Sequence, residues 1–300
     1  MYVMSNRTMK STTRFFLEEV VIALVVFSSV QLCFAETRKP QLLDFKYNIN
    51  SQCGEDGVIQ KIFEIIGTTT KRCIEFGAWD GIYLSNTANL YMNYGWHATL
   101  IEISPIKYEA LVKNVEPKCP SCVLLNRGVG LGDESLDQLL KQQNMVDWKF
   151  DLLSIDIDGN DYYIFESLQI VRPRVVLVEY NPTLPAHLDI LYPYDPENHM
   201  GCSVAALVRV GASKGYRLAA LTEVNAVFVV EEEFHKLAAF ETSLEKIKVD
   251  YAVSYLVTDY LGRYAVVSKK DFVFPYGLTV PMKDTIVGVN ISYYQIQLQL

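Results

Sequence analysis

Short apolar runs alternate with helical patterns through the middle of this chain, and few folds satisfy that alternation. Apolar runs occupy 72–77, 98–103, 122–126, 150–157 and 175–180. Between them, 84–94, 105–115, 135–143 and 161–168 carry apolar side chains at helical spacing. The runs are nearly continuous in apolar residues, as expected of strands buried on both faces. They predict an α/β domain whose sheet is mostly parallel and covered by helices on both faces. Runs at 217–221 and 226–230 lie close in sequence, read as an antiparallel pair and bring the strands to seven. A helix over 56–66, closed by Gly67, precedes the first strand, and one over 203–214, ended by Gly215, precedes the sixth.

The N-terminus carries a different signal. Arg7, Lys10 and Arg14 precede an apolar run over 20–32, and Cys33, Phe34 and Ala35 follow. Small residues at 33 and 35 suit cleavage after Ala35. The run falls short of the about 20 apolar residues that a membrane span needs, which favours a cleaved signal over a signal anchor. Residues 1–35 are therefore expected to direct the chain to the secretory pathway (ER/Golgi lumen) or out of the cell. A membrane is a partner only if the segment stays uncleaved. Residues 36–50 read as a lead-in segment, 51–235 as the main domain and 236–300 as an extension packing on it.

Half of the 300 residues are hydrophobic and 21% are charged, enough for a full core. The net charge of −8 and the lack of a basic stripe exclude nucleic acid as a partner. Of six cysteines, Cys119-Pro-Ser-Cys122 forms a CxxC pair, readable as a local disulfide or as half a zinc site. Nothing at matching spacing supplies the other half. Sequons stand at Asn6 and Asn290, and the second is open to glycosylation in a lumen.

The residues that can carry chemistry gather at the ends of the predicted strands. In Cys73-Ile-Glu-Phe-Gly-Ala-Trp-Asp-Gly81, Gly77 and Gly81 allow a tight turn and close approach of a ligand, and Glu75 can accept from an amine. Asp80 belongs to the same turn. Glu102 ends the second run, where a carboxylate can accept from both hydroxyls of a ribose. A nicotinamide fold shares that acid but shows GxGxxG, whereas the spacing here is GxxxG. Asp156, Asp158 and Asp161 close the fourth run, as catalytic acids or as turn formers. Glu179 and Asn181 close the fifth, and with Asp156 they offer oxygens to a divalent metal. The loop over 182–201 holds His187, Tyr192, Tyr194 and His199; either histidine can serve as a general base or lie solvated.

Taken together, these residues resemble the FkbM-type methyltransferase-like families. The likeness rests on Ser51-Gln-Cys-Gly-Glu-Asp56, Ile74-Glu-Phe-Gly-Ala-Trp-Asp-Gly81 and Ser154-Ile-Asp-Ile-Asp-Gly-Asn-Asp161, extended by His199 to Ser203 and Asn225 to Val229. It covers roughly 45–235. The usual Asp-x-Glu-Gly-x-Glu reads Asp156-Ile-Asp158-Gly159-Asn160-Asp161 here, with both glutamates shortened. The resemblance implies a Rossmann-like fold that binds S-adenosylmethionine (SAM) through Glu75, Gly77, Asp80, Gly81, Glu102 and Asp156. It implies methyl transfer to oxygen of a small-molecule or glycan acceptor, with Asp156, Asp158 and His199 as catalytic candidates. Two rivals remain. Asp156-Ile-Asp158 is also a DxD motif, as in lumenal glycosyltransferases that hold a nucleotide sugar through Mn2+. A binding module that kept the fold without turnover is the other.

Overall fold

The computed structural model describes residues 38–248 except 198, together with 253–258, 260, 264–268, 272–273 and 279–280. The apolar run over 20–32, the cleavage position at Ala35 and both sequons lie outside the described residues. The chain divides into two units, 1–39 and 40–300. No helix among the described residues is long and apolar enough to cross a membrane.

A seven-stranded sheet forms the centre, in the order β3-β2-β1-β4-β5-β7-β6. Its strands are β1 (Arg72–Phe76), β2 (His97–Glu102), β3 (Val123–Asn126), β4 (Leu152–Ile155), β5 (Val175–Glu179), β6 (Tyr216–Leu221) and β7 (Asn225–Val230). The first five pair in parallel, and β7 runs antiparallel between β5 and β6. The mostly parallel sheet covered on both faces that the alternation predicts is therefore present, in the doubly wound, Rossmann-like form that the resemblance implies. The chain moves outward from β1 to β3 and then returns to place β4 on the other side of β1. In open α/β sheets such a reversal marks the ligand crevice, here between β1 and β4 at the carboxyl ends of the strands.

Helices cover both faces. The first layer is α1 (Glu55–Ile66), α2 (Ala88–Asn93) and α3 (Pro105–Val115). The second is α4 (Leu136–Gln142), α5 (Asp161–Ser167) and α6 (Val204–Ser213). Alternate residues of one strand feed the two layers. Leu153 and Ile155 of β4 belong to the core with α4, α5 and α6, while Leu152 belongs to the core with α1, α2 and α3. This is why the strands read as unbroken apolar runs. Ser104 starts α3 by accepting from the Lys107 N–H, with Pro105 in the first turn, and Ser203 caps α6 through the Ala206 N–H.

Helix α2 starts at Ala88, not at residue 84 as the periodicity suggests, because Ser85, Asn86 and Thr87 are hydrogen-bonded to Glu75 instead. Beyond β7, Leu237, Phe240 and Ile247 are buried on the domain. The Glu241 N–H donates to the Pro40 carbonyl, and Gln41 Nε2 donates to that of Lys246, so the lead-in segment and residues 241–246 hold each other. β8 (Ser254–Thr258) and β9 (Tyr264–Ser268) form a separate antiparallel pair.

Candidate functional site

Strand parity decides which acids meet. Cys73, Leu100, Leu152, Leu177 and Val227 all face the α1–α3 layer. Side chains an even number of positions further along each strand face the same way. Glu75, Glu102, Asp156, Glu179 and Asn225 therefore turn toward one layer at one sheet edge. Ser154 lies opposite Glu75 in the register, and Asn225 opposite Glu179.

Glu75 is buried, and both of its oxygens bond the chain itself. Oε2 accepts from Ser85 Oγ and Thr87 Oγ1, each at 2.6 Å, and Oε1 from the Asn86 N–H at 2.8 Å. Asn86 Nδ2 continues to Ser154 Oγ at 3.1 Å. Burial pushes the Glu75 carboxyl up, against the pull of these bonds. Where the sequence suggested a ligand amine, the carboxylate holds the loop after β1.

The turn over 77–81 is fixed at every residue. Gly77 has φ +72°, and a Cβ there would lie 1.9 Å from the Asp156 backbone oxygen. Gly81 lies against α3, where a Cβ would meet Val115 Cγ2 at 2.4 Å. Its glycine thus serves helix packing. Asp80 Oδ1 accepts from the N–H groups of Ile82 and Tyr83, a local turn bond. Between them, Trp79 donates its backbone N–H to Glu102 Oε2 at 2.9 Å, and Glu102 Oε1 accepts from the Ser104 N–H at 2.7 Å. Each Glu102 oxygen keeps a further lone pair.

Across the crevice, Asp156, Asp158 and Glu179 offer carboxylate oxygens within 4.8 Å of one another. Asp158 has φ +58°, a left-handed conformation that lifts it clear of the strand. Burial, then Asp161 and Asp158, push the Asp156 carboxyl well up; burial, then Asp156, do the same to Glu179. Burial also holds Asp161 at about 6. Asp161 accepts from the N–H groups of Ile157 and Gly159, so it is the turn former of the three aspartates. The set suits a hard cation. Asn181 is not part of it: Oδ1 accepts from Thr183, and Nδ2 donates to the Met200 carbonyl. Asp158 stands where the sequence had placed Asn181.

The loop over 182–201 is pinned at three of its described residues. Tyr163 donates to the Tyr192 carbonyl, Asn160 Nδ2 to that of Asp195, and Arg209 pairs with Asp189. His199 Nδ1 lies 3.0 Å from the Asp158 carbonyl oxygen, which makes Nδ1 the protonated nitrogen and leaves Nε2 as an acceptor. His187 is exposed on the same loop. Cys119 and Cys122 form a disulfide, which removes the zinc reading.

Three features escaped the sequence reading. Glu55 is fully buried and accepts from Thr222 Oγ1 and Asn225 Nδ2, tying α1 to the β6–β7 turn. Ser154 completes the Glu75 network. Trp79 and Lys107 meet beside Glu102, with Lys107 Nζ 3.7 Å from the indole centroid. A tryptophan between the two glycines of the β1 turn was the available signal for the last.

No family model matches this chain, and no curated protein matches it. Among solved structures, a Bacillus cereus O-methyltransferase in complex with SAH shares 19% identity over 57% of this chain and 78% of its own, with a TM-score of 0.41. The glycopeptide N-methyltransferase MtfA complexed with sinefungin shares 13% over 61% and 90%, at 0.35. The mitomycin 7-O-methyltransferase MmcR shares 12% over 58% and 54%, at 0.32. The strand order, rather than these likenesses, identifies the fold.

Proposed function

We propose that this chain is a class I SAM-dependent methyltransferase, related to the FkbM type and acting on a hydroxyl of a small molecule or glycan. One observation carries the reading. Glu102 ends β2 with lone pairs to spare, and it is coupled through Trp79 to a Gly77 turn that presses on β4 at the point where the strand order reverses. A ribose-binding carboxylate belongs at that place. The sheet order, which reverses between β1 and β4, puts that carboxylate beside the switch point where open α/β sheets bind ligands, a fold-level analogy.

SAM supplies an electrophilic methyl group on a sulfonium sulfur. Glu102 accepts from the ribose hydroxyls. Asp156, beside Gly77, faces the amino-acid end, the role that Glu75 is too enclosed to fill. Glu75 positions the loop over 85–87. Asp158 and His199 lie on the acceptor side, where transfer to oxygen requires in-line placement and a proton acceptor. His199 Nε2 takes the hydroxyl proton, with Nδ1 held by the Asp158 carbonyl. The disulfide between Cys119 and Cys122 supports an oxidising compartment and so the secretory reading of the N-terminus.

The Asp156, Asp158 and Glu179 cluster favours a second reading, a DxD enzyme that holds a nucleotide sugar through a divalent cation. That reading leaves Glu102 and the Gly77 turn without a role. Thermal melting separates the two. SAM and SAH are expected to raise the melting temperature of the full chain without added metal. A rise only with a nucleotide sugar and Mn2+ would reject the methyltransferase reading.

A further inference from the structure

Trp79 is out of place in two ways. Its φ is +48°, a left-handed backbone that a bulky side chain adopts only when its surroundings enforce it. The residue is also 46% exposed, so burial does not offset the strain. The surroundings do enforce the conformation. Gly77 is pressed on Asp156, Asp80 caps the following N–H groups, and Asn114 Nδ2 donates to the Asp80 carbonyl at 3.0 Å. The Trp79 N–H is held by Glu102. The ring itself is steadied by Lys107 Nζ at 3.7 Å and by an edge contact with Tyr83 at 5.8 Å. Strain held this firmly at a functional edge signals a task for the side chain.

Beyond Glu102 on the other side, Ile103 is 72% exposed, and a Cβ on Gly128 would come within 3.0 Å of Ile103 Cδ1. The buried carboxylate is thus flanked by two residues with exposed apolar side chains, Ile103 directly after β2 and Trp79, whose backbone N–H it accepts.

We propose that Trp79 is a nucleoside-contacting residue whose indole packs on the adenosyl group of the cofactor while Glu102 grips the ribose. Lys107 is its positioning residue. The proposal rests on the SAM reading above. It explains why a tryptophan occupies a backbone position suited to glycine, and why Lys107 holds its ring in place.

Titration of the full-length chain with SAH tests it, read by intrinsic fluorescence and by calorimetry. Trp96 is buried against Phe63, and Trp148 is stacked with Arg72, so a signal from Trp79 is separable. SAH is expected to quench the wild type, and the quench is expected to vanish in Trp79→Phe while Kd stays nearly unchanged. Trp79→Gly relieves the backbone and removes the ring. It is expected to melt higher than the wild type yet to bind SAH about tenfold more weakly, the loss typical of one base–aromatic stack. Folding failure cannot imitate that pair of changes. Wild-type binding with an unchanged Kd in Trp79→Gly, or an unchanged quench in Trp79→Phe, overturns this proposal alone. No SAH binding by the wild type overturns it together with the cofactor reading.

Discussion

Gly77 and Asp156 touch through their main chains: a Cβ on Gly77 would lie 1.9 Å from the Asp156 backbone oxygen. The end of β1 and the end of β4 thereby define the crevice on which the rest of the site depends. Gly77→Ala must both adopt φ +72° with a side chain and push β4 aside. We expect a loss of about 3 kcal/mol in urea unfolding, combining left-handed strain with overpacking, and loss of SAH binding. A stable variant within about 0.5 kcal/mol of wild type would show that the contact is loose.

The acidic cluster makes an unusual stability profile. Burial holds the Asp161 carboxyl at about 6, above its ordinary 3.8, and raises Asp156 and Glu179 too. The folded chain therefore binds more protons than the unfolded chain, and these groups add stability as pH falls through the raised values. Asp151 acts in the opposite direction. Although buried, it is held low by Thr69 and Arg174, so its contribution is lost below the ordinary carboxylate range. The melting temperature is expected to climb from pH 8 toward about 5 and to drop below about 4. Glu179→Gln removes one of the crowded charges. It is expected to raise the pH 8 melting temperature by roughly 2–4 °C and to flatten the climb. A wild-type melting temperature that falls steadily from pH 8 would contradict the buried-acid account.

The Cys119–Cys122 bridge closes a very short loop after α3, so its entropic effect is small. Replacing both cysteines with serine should lower stability by roughly 2 kcal/mol or less. Cys53, Cys73 and Cys202 are free. Chain processed after Ala35 is expected to titrate three thiols in denaturant. Five thiols would show that the pair is reduced in the compartment where the protein resides.

Much of this architecture was legible because burial on both faces leaves a plain mark. Val175 to Val178 and Leu152 to Ile155 read as strands since each residue meets a helix layer. Parity then brought Glu102, Asp156 and Glu179 to one edge. What sequence could not show was how polar side chains would be used. Ser85 and Thr87 look like ordinary helix-start residues, yet their hydroxyls satisfy Glu75 and delay α2. Asp80 and Asp158 look alike, but one caps a turn and the other, at φ +58°, reaches the cluster. Asn181 was drawn away by Thr183 and Met200, contacts set by the path of the loop. Glu55 met Asn225 across a separation no local pattern reveals.

The central claim is that Glu102 ends β2 as the ribose-binding carboxylate of a SAM site. Its most direct test is calorimetric titration of the full chain with SAM, beside a Glu102→Ala variant. The account predicts micromolar binding by the wild type and its loss in the variant, with the fold retained. Binding that survives in Glu102→Ala, or no heat from the wild type, would contradict it.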